Sequence, residues 1–254
     1  MVPRWAILSE TRENERTPAG GGQEMTGANQ EEYRSVDFFF DPLCPWAYQT
    51  SLWIREVRRL AGIEVAWRFF SLEEANLEPG QKHPWEREWS YGWGPMRIGA
   101  YLRRQSMDHL DDWYLRIGRA LHEEGKKMHR REIAEAIAEE AGYGANLVEE
   151  ALSDPTTSTE VLQDHRRAVN EYGSFGVPTL VFPDGLAVFG PVVAPAPTGE
   201  DALRLWRLTV DWVRFPHLYE LKRPKTSRDH EHIVKVFTPY LAAREWKIVE
   251  KRAP

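Results

Sequence analysis

A strand that runs straight into Cys44 and Pro45 and then into a helix is the feature that most limits what this chain can fold into. Val36, Phe38 and Phe40 alternate with Asp37, Phe39 and Asp41, the two-residue period of a strand buried on at least one face. The strand is expected to end near Asp41. Pro45 suits a first helical turn, where its missing N–H costs no bond, and Trp53, Val57, Leu60 and Ala61 recur at helical spacing up to Gly62. Ile63, Val65, Trp67 and Phe69 then alternate with Glu64, Ala66, Arg68 and Phe70, so a second strand follows directly. The folded part opens as a βαβ unit.

From about Pro95 to Tyr172 the period is helical. Trp113, Ile117, Ala120 and Leu121 mark one apolar stripe and Ile133, Ala134, Ile137 and Ala141 a second; Val161, Leu162, His165, Ala168, Val169 and Tyr172 mark a third, opened by Asp154 as cap and Pro155. Thr179–Phe182 and Leu186–Phe189 flank the turn-forming Pro183-Asp184-Gly185, which predicts a hairpin. Thr198, with Asp201 three residues on, predicts a helix cap, and Leu203, Trp206, Val210 and Val213 the buried face of a closing helix. The expected organisation is a disordered leader over 1–34, an α/β domain over 35–228 with a helical insertion at about 80–173, and a C-terminal extension over 229–254. In that extension Ile233, Val236, Phe237, Tyr240 and Leu241 outline an amphipathic segment that packs on the domain or on a partner.

With 254 residues, 42 % of them hydrophobic, the chain can bury one elaborated core. Its net charge of -6 is spread without a basic stripe, so nucleic acid is not an expected partner. The longest apolar window, Leu186–Pro197, is interrupted by Pro191, Pro195 and Pro197, and the leader's apolar cluster, Trp5–Leu8, is too short for a signal-peptide core. No membrane partner and a cytoplasmic location are expected. Asp229, His230, Glu231 and His232 read as a solvated charged run rather than a metal site, so no metal is expected. A single cysteine excludes an internal disulfide.

Cys44 is the residue that carries chemistry. At a helix N-terminus the free N–H groups and the macrodipole favour a thiolate, which predicts a lowered pKa and a nucleophilic sulfur. Val177-Pro178 stands just before a predicted strand. A cis bond there would free the Val177 backbone to pair with an extended thiol ligand, but only about 5 % of X–Pro bonds in folded proteins are cis, so the residues alone leave the isomer open.

The order strand, Cys-Pro-Trp-Ala, helix, strand, helical insertion, Val-Pro-Thr, hairpin, helix resembles the DsbA family, and within it the mycothiol-dependent nitroreductase group of actinobacteria. The matching stretches are Phe39 to Trp46, Trp93-Gly94-Pro95, Gly176-Val177-Pro178-Thr179, Phe189-Gly190-Pro191 and Pro216 to Arg223, spread over about Val36 to Arg228. The resemblance implies a thioredoxin-like fold with an all-helical lid, a cis Pro178 facing a catalytic Cys44, and a thiol-binding pocket formed by Pro45, Trp46, Asn76, His122, Val177 and Pro178. For His122 the competing reading is a helix histidine satisfied within the fold. One departure matters: the family's second motif cysteine is Ala47 here.

What this implies is a thiol-disulfide oxidoreductase that uses Cys44 as a monothiol nucleophile. Mycothiol or another low-molecular-weight thiol would be cosubstrate, with no tightly bound cofactor, and a disulfide or small electrophile would be substrate. A second copy of the chain is a further candidate partner. Two alternatives stay open: a thiol-dependent transferase or isomerase of the glutathione transferase kappa type, whose relatives commonly carry serine where this chain has Cys44, and a non-catalytic thiol-binding protein. A lone thiol needs an outside thiol to resolve its mixed disulfide, whereas a dithiol resolves its own. Ala47→Cys is therefore expected to create a dithiol that, treated with a low-molecular-weight disulfide, loses two hydrogens by mass spectrometry without keeping an adduct, while the unmodified chain gains one thiol's mass.

Overall fold

The computed structural model of the protein describes residues 33–243; the predicted leader, apart from its last two residues, and the end of the C-terminal extension lie outside the described residues. The order is β1 (Ser35–Phe40), α1 (Pro45–Ala61), β2 (Glu64–Phe69), α2 (Leu72–Ala75), a 3-10 turn at Pro84–Glu86, α3 (Trp93–Arg103), α4 (Met107–His122), α5 (Arg131–Glu140), α6 (Leu147–Ser153), α7 (Pro155–Tyr172), β3 (Thr179–Val181), β4 (Ala187–Phe189), α8 (Gly199–Arg214) and α9 (Ser227–Ala243). The expected βαβ, helical insertion and ββα series is thus present, with α9 added.

The sheet runs β2-β1-β3-β4, with β1 parallel to β2 and antiparallel to β3. Strand β1 is internal, paired at both edges, and helices cover both its faces. Val36, Phe38 and Phe40 join the main core with Trp53, Ile54 and Val57 of α1, and Phe40 stacks on Tyr114 of α4 at 3.8 Å. Phe39, expected on the more polar side of an alternating strand, is fully buried on the opposite face, where its ring meets Tyr172 of α7 at 6.1 Å. A strand sandwiched between helical layers reads as a continuous apolar run instead of a clean alternation.

The helical layer is tied together by Arg97 of α3, whose guanidinium donates to the carbonyls of Ala151, Leu152 and Asp154 and thereby satisfies the C-terminal end of α6. Asp154 caps α7 as predicted, accepting from the Thr156 N–H at 2.8 Å. Thr198 occupies the N-cap of α8, but its side chain makes no capping bond; Glu56 reaches across from α1 and accepts from the Gly199 N–H at 3.0 Å. Leu186, predicted in the hairpin's second strand, belongs to its turn, where its N–H donates to Asp184.

Gly118 on α4 shows how tightly the helical layer approaches α1. A Cβ at this position would lie 2.4 Å from Cδ2 of the buried Tyr48 ring. Glycine in a helix interior ordinarily costs about 1 kcal/mol relative to alanine, but overpacking a rigid core costs about 1–3 kcal/mol, and here the clash wins. Gly118→Ala is expected to lower stability by about 1–2 kcal/mol in chemical denaturation; a gain in stability would show that Tyr48 can move aside.

Candidate active site

The register of β3 on β1 sets Thr179 opposite Phe39, so the preceding Val177-Pro178 pair lies just beyond the end of β1, where Cys44 begins α1. The Val177-Pro178 bond is cis. Cys44 is the N-cap residue of α1, with extended backbone and Pro45 in the first turn. Its Sγ accepts from the Ala47 N–H at 3.4 Å, and its S–H donates to the Val177 carbonyl at 3.4 Å. Around it pack Phe39, Ala47, Phe70, Ala168, Val177 and Val181, with Trp46, Leu72 and Tyr172 partly buried at the edge. Strands β1 and β3, helices α1 and α7 and the end of β2 all contribute to this one cluster.

Two residues hold the turn before Cys44. Asp41 is fully buried: Oδ1 accepts from the Leu43 N–H and Oδ2 from the Leu72 N–H, each at 2.7 Å, while its carbonyl accepts from the Cys44 N–H. Burial pushes its carboxyl up to about 7, against the two N–H bonds and with help from the nearby Glu73 charge. His122, at the end of α4, donates from Nε2 to the Pro42 carbonyl at 2.9 Å, and its ring stacks on Tyr48 at 4.9 Å. Burial holds its pKa down to about 4, so the imidazole is neutral at physiological pH.

The thiol itself reverses the sequence expectation. Burial pushes Cys44 up to about 12; the Ala47 and Trp46 N–H groups pull the other way but do not offset it, and the Asp41 charge adds to the rise. The N-terminal helix donors are present as predicted, yet at 7 % exposure desolvation of the thiolate outweighs them. The resting sulfur is a thiol that donates to Val177, not an exposed thiolate.

Of the residues singled out from sequence, Cys44, Trp46 and Val177 share one cluster, with Pro45 and Pro178 adjoining it in the chain. His122 lies behind the turn and bonds its backbone. Asn76 caps the exposed end of α2, where its amide donates to the Leu72 carbonyl at 2.7 Å, outside the Cys44 cluster. The positioning role of Asp41 was missed; an aspartate two residues before a backbone N–H that needs a partner is the signal that could have found it. Phe70, Ala168 and Tyr172 were read as element residues only, and nothing local marks them as facing the sulfur.

A family model described as Rv2466c-like, mycothiol-dependent nitroreductase Rv2466c, matches residues 43–223. A Mycobacterium tuberculosis protein described as uncharacterized, Rv2286c, is 52 % identical over 217 residues, spanning 85 % of this chain and 94 % of its own. Among solved structures, a 2-hydroxychromene-2-carboxylate isomerase superposes with a TM-score of 0.53 at 18 % identity, over 70 % of this chain and 93 % of its own. The cytosolic disulfide reductase DsbM from Pseudomonas aeruginosa, solved with GSH, does so with a TM-score of 0.51 at 17 % identity, over 70 % and 99 %. These likenesses establish the thioredoxin-like fold that the sequence resemblance implied.

The protonated, buried thiol has a direct kinetic consequence. Alkylation of Cys44 is expected to speed up about tenfold per pH unit from pH 7 to 10 without levelling off, because only the thiolate reacts. A plateau below about pH 8.5 would mean that the helix donors win over burial.

Proposed function

The chain belongs to the Rv2466c-like family of mycothiol-dependent nitroreductases, and we propose that it is a monothiol oxidoreductase that takes mycothiol as its cosubstrate and reduces small electrophiles or disulfides. The observation that carries this reading is the placement of the chain's only cysteine: Cys44 caps α1 with Sγ between the Ala47 N–H and the Val177 carbonyl, in a family matched over residues 43–223.

In this reading the thiolate of Cys44 attacks a sulfur of a low-molecular-weight disulfide. The sulfur–sulfur bond breaks, one thiolate leaves and a mixed disulfide remains. A second thiol attacks the bound thiol's sulfur and releases Cys44. Towards an electrophile, Cys44 and one thiol together give up two electrons and two protons to the substrate and become the mixed disulfide; a second thiol then restores Cys44, so two thiols leave as one disulfide. The Ala47 and Trp46 N–H groups stabilise the thiolate once the site opens to a ligand. Trp46, Pro45 and Pro178 shape the sulfur's surroundings, and the Val177 backbone pairs with an extended ligand. Asn76 offers its amide from the end of α2, and His122 acts by holding Pro42.

Sealing of Cys44 at 7 % exposure favours a second reading, a protein that binds a thiol without turnover. Intact mass after incubation with mycothiol disulfide or glutathione disulfide separates the two. The expected result is one adduct per chain with mycothiol disulfide, none in Cys44→Ser, and release of the adduct by added mycothiol. Failure of Cys44 to form any adduct in its folded state would leave only the binding reading.

A further inference from the structure

We propose that α9, the helix of the C-terminal extension, is a hinged cover over the Cys44 turn, and that Phe237, acting through Trp46, sets how large a partner reaches the sulfur. This rests on the reading of Cys44 as the reacting thiol.

Sulfur chemistry requires a partner atom to approach Sγ directly, yet Cys44 is sealed and Trp46 stands partly buried at the edge of its cluster. The ring of Phe237 meets that of Trp46 edge-on, 4.7 Å between centroids at 87°. Tyr240, three residues on and so on the same helix face, lies 5.0 Å from His122, the residue that holds Pro42. One face of α9 therefore touches both the motif tryptophan and the histidine behind the motif turn. The approach is close at the backbone as well: a Cβ on Gly125, just after α4, would lie 3.1 Å from the Pro239 carbonyl oxygen.

The attachment of α9 suits a moving part. Between α8 and α9 the chain crosses residues 215–226 without helix or strand, with Tyr219 and Leu221 exposed. Of α9's own residues only Phe237, Tyr240 and Ala243 are buried, and the helix packs chiefly on α4. With the Tyr240 ring against it, His122 has its Nδ1 buried and without a hydrogen-bond partner among the described residues. A buried unpaired acceptor opposes closure, because opening lets water reach it. A small apolar face, a long irregular tether and an unpaired acceptor on the ring that Tyr240 meets all lower the cost of swinging α9 away without unfolding the sheet.

Cys44 is the only cysteine, so thiol labelling reads this site alone. The test compares iodoacetamide, a small reagent, with fluorescein maleimide, a bulky one, at fixed pH on the full chain. Phe237→Ala is expected to raise the bulky reagent's rate by about tenfold or more and the small reagent's rate by less, since opening is the step the larger reagent waits for. Phe237→Leu, which keeps the apolar filling and guards against loss of fold, should give a smaller rise in the same order. Lys235→Gln, on the exposed outer face of α9, should change neither rate. Equal acceleration of both reagents, or no acceleration in either Phe237 variant, would overturn the proposal. These reagents report access only, so labelling as expected with no adduct from mycothiol disulfide would defeat the functional reading and leave the cover standing.

Discussion

The buried carboxyl of Asp41 is the constraint on which the site depends. Two parallel strands, β1 and β2, each end in a turn leading to a helix, and the two turns carry backbone N–H groups that the sheet does not satisfy. Asp41 takes one from each, Leu43 on its own turn and Leu72 after β2, and its carbonyl takes a third from Cys44. Those bonds fix where α1 starts and therefore where Sγ sits. The packing around the carboxyl is close enough to dictate a distant residue: a Cβ on Gly92 would lie 3.1 Å from Oδ1 of Asp41 and 3.3 Å from Oε2 of Glu73. Glu73 in turn accepts from the Gly92 and Trp93 N–H groups, so the start of α3 is hung from the same corner.

The thiol sits in opposing fields. A helix N-terminus stabilises an anion, and the Ala47 N–H is directed at Sγ. The same sulfur is buried in an apolar cluster with Phe39, Phe70, Ala168 and Val181, which offer an anion nothing in place of water. In the closed protein enclosure dominates, and the S–H is held on the Val177 carbonyl. The helix donors are thus already in place beside a sulfur that its packing keeps protonated.

Much of this was legible in the residues because local physics decided it. The strand over 36–40, the proline after Cys44, the cap at Asp154 and a turn through 183–185 each depend on neighbours within a few positions, and each is present. Where the reading departed from the structure, a distant residue intervened. Phe39 is buried because α7 covers the second face of β1. Thr198 needs no capping bond because Glu56 on α1 supplies the acceptor. For His122, read either as a pocket residue or as a histidine satisfied within the fold, the structure places Nε2 on the Pro42 carbonyl, a contact no local stretch announces.

The sequence by itself determined the order of strand, motif turn, helix, strand, helical insertion, hairpin and closing helix, the single cysteine at position 44 and the alanine at position 47, since periodicity, capping and residue identity are properties of short stretches; the thioredoxin-like class came from the resemblance of its motifs to a family. Only the tertiary structure decided the state of that thiol. Whether a thiol at a helix end is ionised depends on how much water reaches it, and the residues clustered with Cys44 come from β1, the turn after β2, β3 and α7, brought together by pairings across more than a hundred residues of chain. The place of Phe237 beside Trp46 is of the same kind: an amphipathic face announces that it will be buried, and only the folded chain specifies against what.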